Sequence, residues 1–235
     1  RNYAASERVC NSAPQRIMPD LSLETSFDGH VIGIDEAGRG PWAGPVTITA
    51  LWLNPDFYGE LPNNINDSKK ITPSRRAGLA NVLQIPPNLS CTISKGVDDI
   101  DQHGVVKTTL MAMADATTTL IKQMCKVGIA GPTHALIDGP LLPKNMPCTS
   151  TAVIRGDSRS LSIAGASIIA KHSRDLIMQA LDKDWPAYGW RQNNGYGTRQ
   201  HQQALIKYGI SPHHRCSFAP IKRLVETANP VFDHD

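Results

Sequence analysis

Residues 31–45 read Val-Ile-Gly-Ile-Asp-Glu-Ala-Gly-Arg-Gly-Pro-Trp-Ala-Gly-Pro. An apolar run ends in two carboxylates, Asp35 and Glu36, and gives way to a loop rich in glycine and proline that carries one arginine, Arg39. A buried strand ending in acids is a place to hold a divalent cation, because Mg²⁺ and Mn²⁺ favour carboxylate and water oxygen. The loop lacks side chains at Gly38 and Gly40, so its backbone can come close to a phosphate or a sugar. Successive strand residues face opposite sides. Asp35 and Glu36 therefore share a site only if the strand ends or bends there, which the glycines behind them allow. Together these features suggest metal-dependent chemistry on a nucleic acid.

Working outward, Val46–Leu53 alternates β-branched and apolar residues and predicts a second strand. Thr72-Pro73 opens a helix running to about Leu83, with Thr as cap and Pro in the first turn. Leu89–Ser94 predicts a third strand. Asp101–Lys126 predicts one long helix, its apolar stripe drawn by Val106, Leu110, Met113, Thr117, Leu120 and Met124. Ala135–Asp138 and Thr151–Ile154 are further strands, and Ser160–Asp182 is a second long helix with small residues at Ala164, Gly165, Ala166, Ser167 and Ala170. Thr198 caps a helix ending at Gly209, and Pro220–Thr227 adds a last helical turn or two. Ahead of the first strand, Leu21–Glu24 predicts a short edge strand. Residues 1–18 read as a loose extension, 19–228 as the folded domain and 229–235 as a tail. The order of elements predicts an α/β protein: a mixed sheet flanked by helices, with a helical part after about Pro186.

The 235 residues are 40% hydrophobic and 19% charged, enough for one sizeable core. A net charge of +3 does not by itself argue for nucleic acid, so local placement of Lys and Arg must do so. No apolar stretch approaches a bilayer span, and residues 1–14 lack the apolar core of a secretory signal. The five cysteines, Cys10, Cys91, Cys125, Cys148 and Cys216, are scattered without Cys-x-x-Cys spacing. That argues against a disulfide framework or a zinc site and fits a reducing cytoplasm. The four tryptophans and the methionine-bearing stripe read as core; Trp42, in the glycine loop, is the one tryptophan placed near the chemistry.

Two more acids end apolar segments. Asp138 precedes Gly139, where an Asp is also an ordinary turn residue. Asp157 precedes Ser158 and a helix, where it could equally be a cap. Each at a strand end, in this order, the acids carry more together than singly, because open α/β sheets gather ligands at the carboxyl ends of strands. Gly195-Tyr196-Gly197-Thr198 reads either as a tight turn before a capped helix or as a presented tyrosine. Lys69-Lys70 and Lys171 are a solvated surface or phosphate contacts.

The chain resembles the ribonuclease HII (type 2 ribonuclease H) family from Val31 to about Arg223. The matching pieces are residues 33–45, Asn-Asp-Ser-Lys-Lys at 66–70, Leu-Ile-Asp-Gly at 136–139, Arg-Gly-Asp-Ser at 155–158, Ala-Ser-Ile-Ile-Ala-Lys at 166–171 with Arg174-Asp175, Gly-Tyr-Gly-Thr at 195–198, and His214-Arg215 with Ser217-Phe218. The resemblance implies a ribonuclease H-like fold and an endonuclease that cuts RNA within RNA/DNA hybrids and at single ribonucleotides in duplex DNA. It would cut on the 5′ side of the ribonucleotide, leaving 5′-phosphate and 3′-hydroxyl ends, in the service of ribonucleotide removal during replication and repair. It assigns Asp35, Glu36, Asp138 and Asp157 to catalysis and to Mg²⁺ or Mn²⁺, in a metal-assisted in-line displacement. It assigns Gly38, Arg39, Gly40, Lys69, Lys70, Lys171 and Tyr196 to substrate, with Tyr196 on the 2′-hydroxyl and the neighbouring sugar. A cytoplasmic monomer with nucleic-acid partners and no membrane is expected. The histidines, His172, His201, His213 and His214, are phosphate contacts, caps or core polar groups. Three positions depart from the family pattern: Asn194 where Lys is expected, Cys216 where a second Arg is expected, and Gly165 in place of Ala. Two other readings stand beside this one, a different metal-dependent nuclease on the same general fold and a non-catalytic hybrid-binding module.

Overall fold

The computed structural model describes residues 18–65 and 71–228, so Lys69, Lys70, most of the extension and the tail lie outside the described residues. Alternating β-branched and apolar segments become five strands: β1 (Val31–Ala37), β2 (Val46–Trp52), β3 (Leu89–Lys95), β4 (His134–Asp138) and β5 (Thr149–Val153). They form one sheet in the order β3-β2-β1-β4-β5. The β1–β2–β3 group is an antiparallel meander, whereas β4 and β5 join β1 in parallel. The expected mixed sheet is present.

Among the described residues seven α-helices surround it: α1 (Pro73–Gln84), α2 (Val97–His103), α3 (Val105–Lys126), α4 (Leu161–Asp184), α5 (Trp190–Asn193), α6 (Arg199–Tyr208) and α7 (Ala219–Ala228). The single helix expected over Asp101–Lys126 is two. Gly104 stands between α2 and α3 at φ +76°, a left-handed conformation that breaks the hydrogen-bond ladder. The stripe holds at Met113, Thr117, Leu120 and Met124, which are buried, but Val106 at the start of α3 is 42% exposed.

Alternation sorts the sheet into two faces. Ile32 and Ile34 of β1, with Ile48 and Ala50 of β2, pack under α3. On the other face Leu51 and Leu53 meet Leu79 and Leu83 of α1 and Ala164 and Ile168 of α4. Here the small residues of α4 have their use. A Cβ on Gly33 would stand 2.2 Å from the Ser162 carbonyl carbon, so only glycine lets α4 lie directly on β1. Gly165 is explained the same way, since a Cβ there would meet Leu51 Cδ2 at 2.5 Å.

The edge strand expected at Leu21–Glu24 is absent; Glu24–Ser26 is a 3₁₀ turn. Its Glu24 is 3% exposed and reaches the start of α4, where one carboxylate oxygen accepts from Ser160 Oγ at 2.6 Å, Ser162 N at 2.8 Å and Ser162 Oγ at 2.7 Å. An anion at the positive end of a helix stabilises it, and this contact outcompetes sheet pairing for the segment. No helix of the described residues is long and apolar enough to cross a membrane. After α4 the chain packs Tyr188, Trp190, Leu205 and Ile221 onto Ala43 and Met178, so the helical C-terminal part closes over the glycine loop.

Candidate active site

Parallel pairing of β1 with β4 sets Ile34 opposite Ile137, which brings the following residues, Asp35 and Asp138, to neighbouring strand ends. Asp35 lies on the α4 side with Gly33 and is 5% exposed. Burial, then the charges of Glu36 and Asp138, push its carboxyl well above the usual carboxylate range; hydrogen bonds from the Ser167 side chain and the Glu36 amide oppose this in part. The Glu36 N–H donates to Asp35 Oδ1 at 2.7 Å. Asp138 Oδ1 in turn accepts the Gly156 N–H at 2.6 Å. That bond carries the 3₁₀ turn Gly156–Ser158, and with it Asp157, to the end of β4. Arg155 supports the turn in a left-handed conformation, φ 54°.

β1 does not end or bend at Glu36. It continues in register to Ala37, opposite Thr47, so the two acids are consecutive on an unbroken strand, and the charge of Glu36 still acts on Asp35 at its end. The Glu36 side chain accepts from Arg39 Nη1 at 3.1 Å. Among the described residues no three His, Cys, Asp or Glu side chains already form a metal-holding cluster. The donor set nonetheless fits a hard divalent cation. Asp35 is a buried acid beside two others, and a cation would relieve the repulsion that now opposes its ionisation. Asp35 and Asp138 would hold it, with Glu36 and Asp157 alongside.

The glycine loop is fixed by two buried arginines. Among the described residues Arg215, wholly buried, donates five hydrogen bonds, all to backbone carbonyls: those of Gly38, Arg39, Gly44 (twice) and Pro45, at 2.6–3.1 Å. Arg174 of α4 donates to the carbonyls of Pro45 at 2.9 Å, Asn194 at 3.0 Å and Ala43 at 3.1 Å. Burial lowers both guanidinium pKa values, Arg174 to about 10 and Arg215 to about 9. In a trans peptide the C=O and the next N–H point in opposite directions. With the Gly38 and Arg39 carbonyls turned in to Arg215, the Arg39 and Gly40 amides face away from it, as donors on the loop's outer side.

Tyr196 stands across from that loop, 50% exposed, with its ring edge 3.6 Å from where a Gly40 Cβ would be. Its backbone is held from several sides. The Tyr196 N–H donates to the Asn193 carbonyl at 2.9 Å and the Trp42 N–H to the Gly195 carbonyl at 2.8 Å. A Cβ on Gly197 would fall 2.2 Å from the Trp42 indole, so Trp42 packs beneath the tyrosine turn. Asn194 explains its own departure from Lys: it sits at φ 49°, which Asn tolerates better than a long side chain. Cys216 is exposed, its amide donating to Asp101 Oδ2 at 2.9 Å, and nothing in the structure explains its replacement of Arg. Lys171 lies one turn beyond Ser167 on α4, half-buried, 3.9 Å from Asp175, which itself binds Arg76 at 2.6 Å.

Ser167, Arg174 and Arg215 carry roles that no local sequence signal marks, whereas His201 and His214 are buried polar groups, one of the roles their sequence context allows. Burial and then His201 hold His214 at about 4, and burial lowers His201 as well. The unfolded chain takes up these protons near pH 6.5, so below that it binds more than the folded chain and stability falls as pH falls. His214 alone should remove on the order of 3 kcal/mol between pH 7 and pH 4. Asp35, with a raised pKa, works in the opposite sense. Urea unfolding across this range, for wild type and for His214→Gln, checks it; equal slopes for the two proteins would refute the assignment.

The ribonuclease HII family model matches residues 32–221. The chain belongs to the ribonuclease HII family. It is 43% identical over 211 residues to a ribonuclease HII of Ruegeria sp. strain TM1040, covering 88% of this chain and 87% of the relative. The crystal structure of the ribonuclease H2 of Pyrococcus horikoshii superposes with a TM-score of 0.67 at 23% identity, covering 84% of this chain and 98% of that one. Bst-RNase HIII, solved in complex with Mn²⁺, superposes with a TM-score of 0.69 at 16% identity, covering 96% of this chain and 77% of that one. The likeness to these two structures is one of fold. As a ribonuclease HII, the chain is a nuclease hydrolase acting on the RNA strand of RNA/DNA hybrids.

Proposed function

We propose that this member of the ribonuclease HII family is a Mg²⁺- or Mn²⁺-dependent endonuclease that also cuts on the 5′ side of a single ribonucleotide in duplex DNA, leaving 5′-phosphate and 3′-hydroxyl ends. One observation carries this reading: a paired acid site, Asp35 and Asp138, next to a glycine loop that Tyr196 overlies at Gly40. An ion bound at the acids supplies Lewis acidity at the phosphate. The chain's own residues do the selecting. The outward amides of Arg39 and Gly40 are donors to the sugar-phosphate edge, and the exposed Tyr196 ring packs on the sugar, where the 2′-hydroxyl separates ribose from deoxyribose. Lys171 lies on the α4 face that carries Ser167, within the acids' surroundings, and suits a phosphate. His201 and His214 are buried in the C-terminal part and are not placed to act as general base.

The test is a duplex DNA carrying one ribonucleotide, incubated with and without Mg²⁺ or Mn²⁺, with the ends of the products identified. Cutting without added metal in the presence of chelator, or no cutting with it, would reject the proposal. Tyr196→Ala should lower the rate at a lone ribonucleotide by about tenfold or more while metal affinity, read by calorimetry, stays unchanged. Unaltered kinetics would remove Tyr196 from the sugar. Another metal-dependent nuclease on this fold would have acids in similar places but no reason to hold a tyrosine over a glycine loop.

A further inference from the structure

Tyr196 and the glycine loop belong to distant parts of the chain; besides the Trp42 N–H to Gly195 bond and the Arg174 contacts, a buried histidine pair links the two segments. His201 Nδ1 lies 3.0 Å from the Tyr196 carbonyl, which can only accept, so Nδ1 carries the proton and Nε2 is an acceptor. His214 Nδ1 receives the Ser211 N–H at 2.8 Å, so its proton is on Nε2. The two Nε2 atoms are 3.0 Å apart, and the bond runs from His214 to His201, beside a second donor, Trp190 Nε1, at 3.3 Å. Each tautomer is thus dictated by its neighbours. His214 also sits on the segment that pairs with the loop: it forms a β-bridge with Ala43, flanked by Gly44 N–H to the His213 carbonyl at 2.9 Å and Arg215 N–H to the Trp42 carbonyl at 2.8 Å.

We propose that the His201–His214 hydrogen bond sets the gap between Tyr196 and the Gly38–Gly40 loop, making both histidines positioning residues for ribose recognition. The inference rests on the reading that Tyr196 touches the ribose. It assigns a functional consequence to one bond, and amide side chains can keep or remove that bond selectively. In His214→Gln the terminal amide takes the place of Nε2–H and can still donate to His201. In His214→Asn the amide takes the place of Nδ1, still capping Ser211 but with nothing to offer His201.

On a duplex with one ribonucleotide, His214→Asn should lower kcat about tenfold with KM changed less than about twofold, and His214→Gln should recover most of the rate. In a Tyr196→Ala background, His214→Asn should cost less than about twofold further, because two residues acting through one contact are not additive. Equal losses for Asn and Gln, or the same factor in both backgrounds, would overturn the proposal and leave a packing role. If His214→Asn does not fold, His201→Asn, which keeps the bond to the Tyr196 carbonyl and loses the one from His214, should show the same loss and the same non-additivity; full additivity there overturns the proposal equally. If Tyr196→Ala alone leaves cutting intact, the ribose reading fails first, and the inference with it.

Discussion

Asp35→Asn should abolish cleavage, lowering kcat by roughly 10³-fold or more, about 4 kcal/mol of barrier, while hybrid affinity stays within a few-fold of wild type. The amide cannot supply the charge a divalent ion needs. The backbone donors of the glycine loop, which lie on the other side of Gly38, are untouched. The same substitution should make the protein more resistant to heat. Asp35 is a buried acid beside Glu36 and Asp138, and only two hydrogen bonds offset that burial. Replacing it by a neutral isostere removes a desolvated charge at the centre of the fold. Single-turnover cleavage, hybrid binding and thermal unfolding of the metal-free protein together check this. Near-wild-type cutting would remove Asp35 from catalysis; a lowered melting point would show that the acid is structural.

Arg215→Met should be the most damaging change outside the acids. Methionine fills a similar length but donates nothing, leaving the carbonyls of Gly38, Arg39, Gly44 and Pro45 without the bonds that Arg215 now gives them. Each buried group stripped of its partner costs about 1–3 kcal/mol. A loss of at least about 4 kcal/mol of stability is expected, with cleavage falling at least about a hundredfold even at temperatures where the variant is folded. Arg215→Lys should recover only a small part of either, since an ammonium cannot reach carbonyls on two sides of a planar fork. Chemical denaturation and kcat at reduced temperature measure the two effects. A stable, active Arg215→Met would mean that the loop holds its shape without the clamp.

The fold was largely legible because its signals are local. Val31–Asp35 and Ala135–Asp138 each show an apolar run halted by an acid, and the small residues of α4 announce close packing. Ser167 and the arginines were harder. Arg215 bonds carbonyls 170–177 positions away, and nothing in its immediate neighbours distinguishes a buried guanidinium from a surface one. Glu24 was misread for the same reason, since its partner is a helix start far along the chain. The break at Gly104 did leave a mark, a glycine after His103, but an apolar stripe that resumes beyond it concealed the interruption. Asp35 and Glu36 lie on a strand that runs through both, and the charge of Glu36 still acts on Asp35.

Glu24 has a practical consequence. An expression boundary drawn at Val31, where the strands begin, would discard the anionic plug from the start of α4 and leave Ser160 and Ser162 facing an empty slot. The damage would surface 136 positions downstream, at the hinge between the last acid and the helix behind it. Truncations from the N-terminal side should therefore stop short of Asp20, whose carbonyl accepts the Leu161 N–H at 3.0 Å.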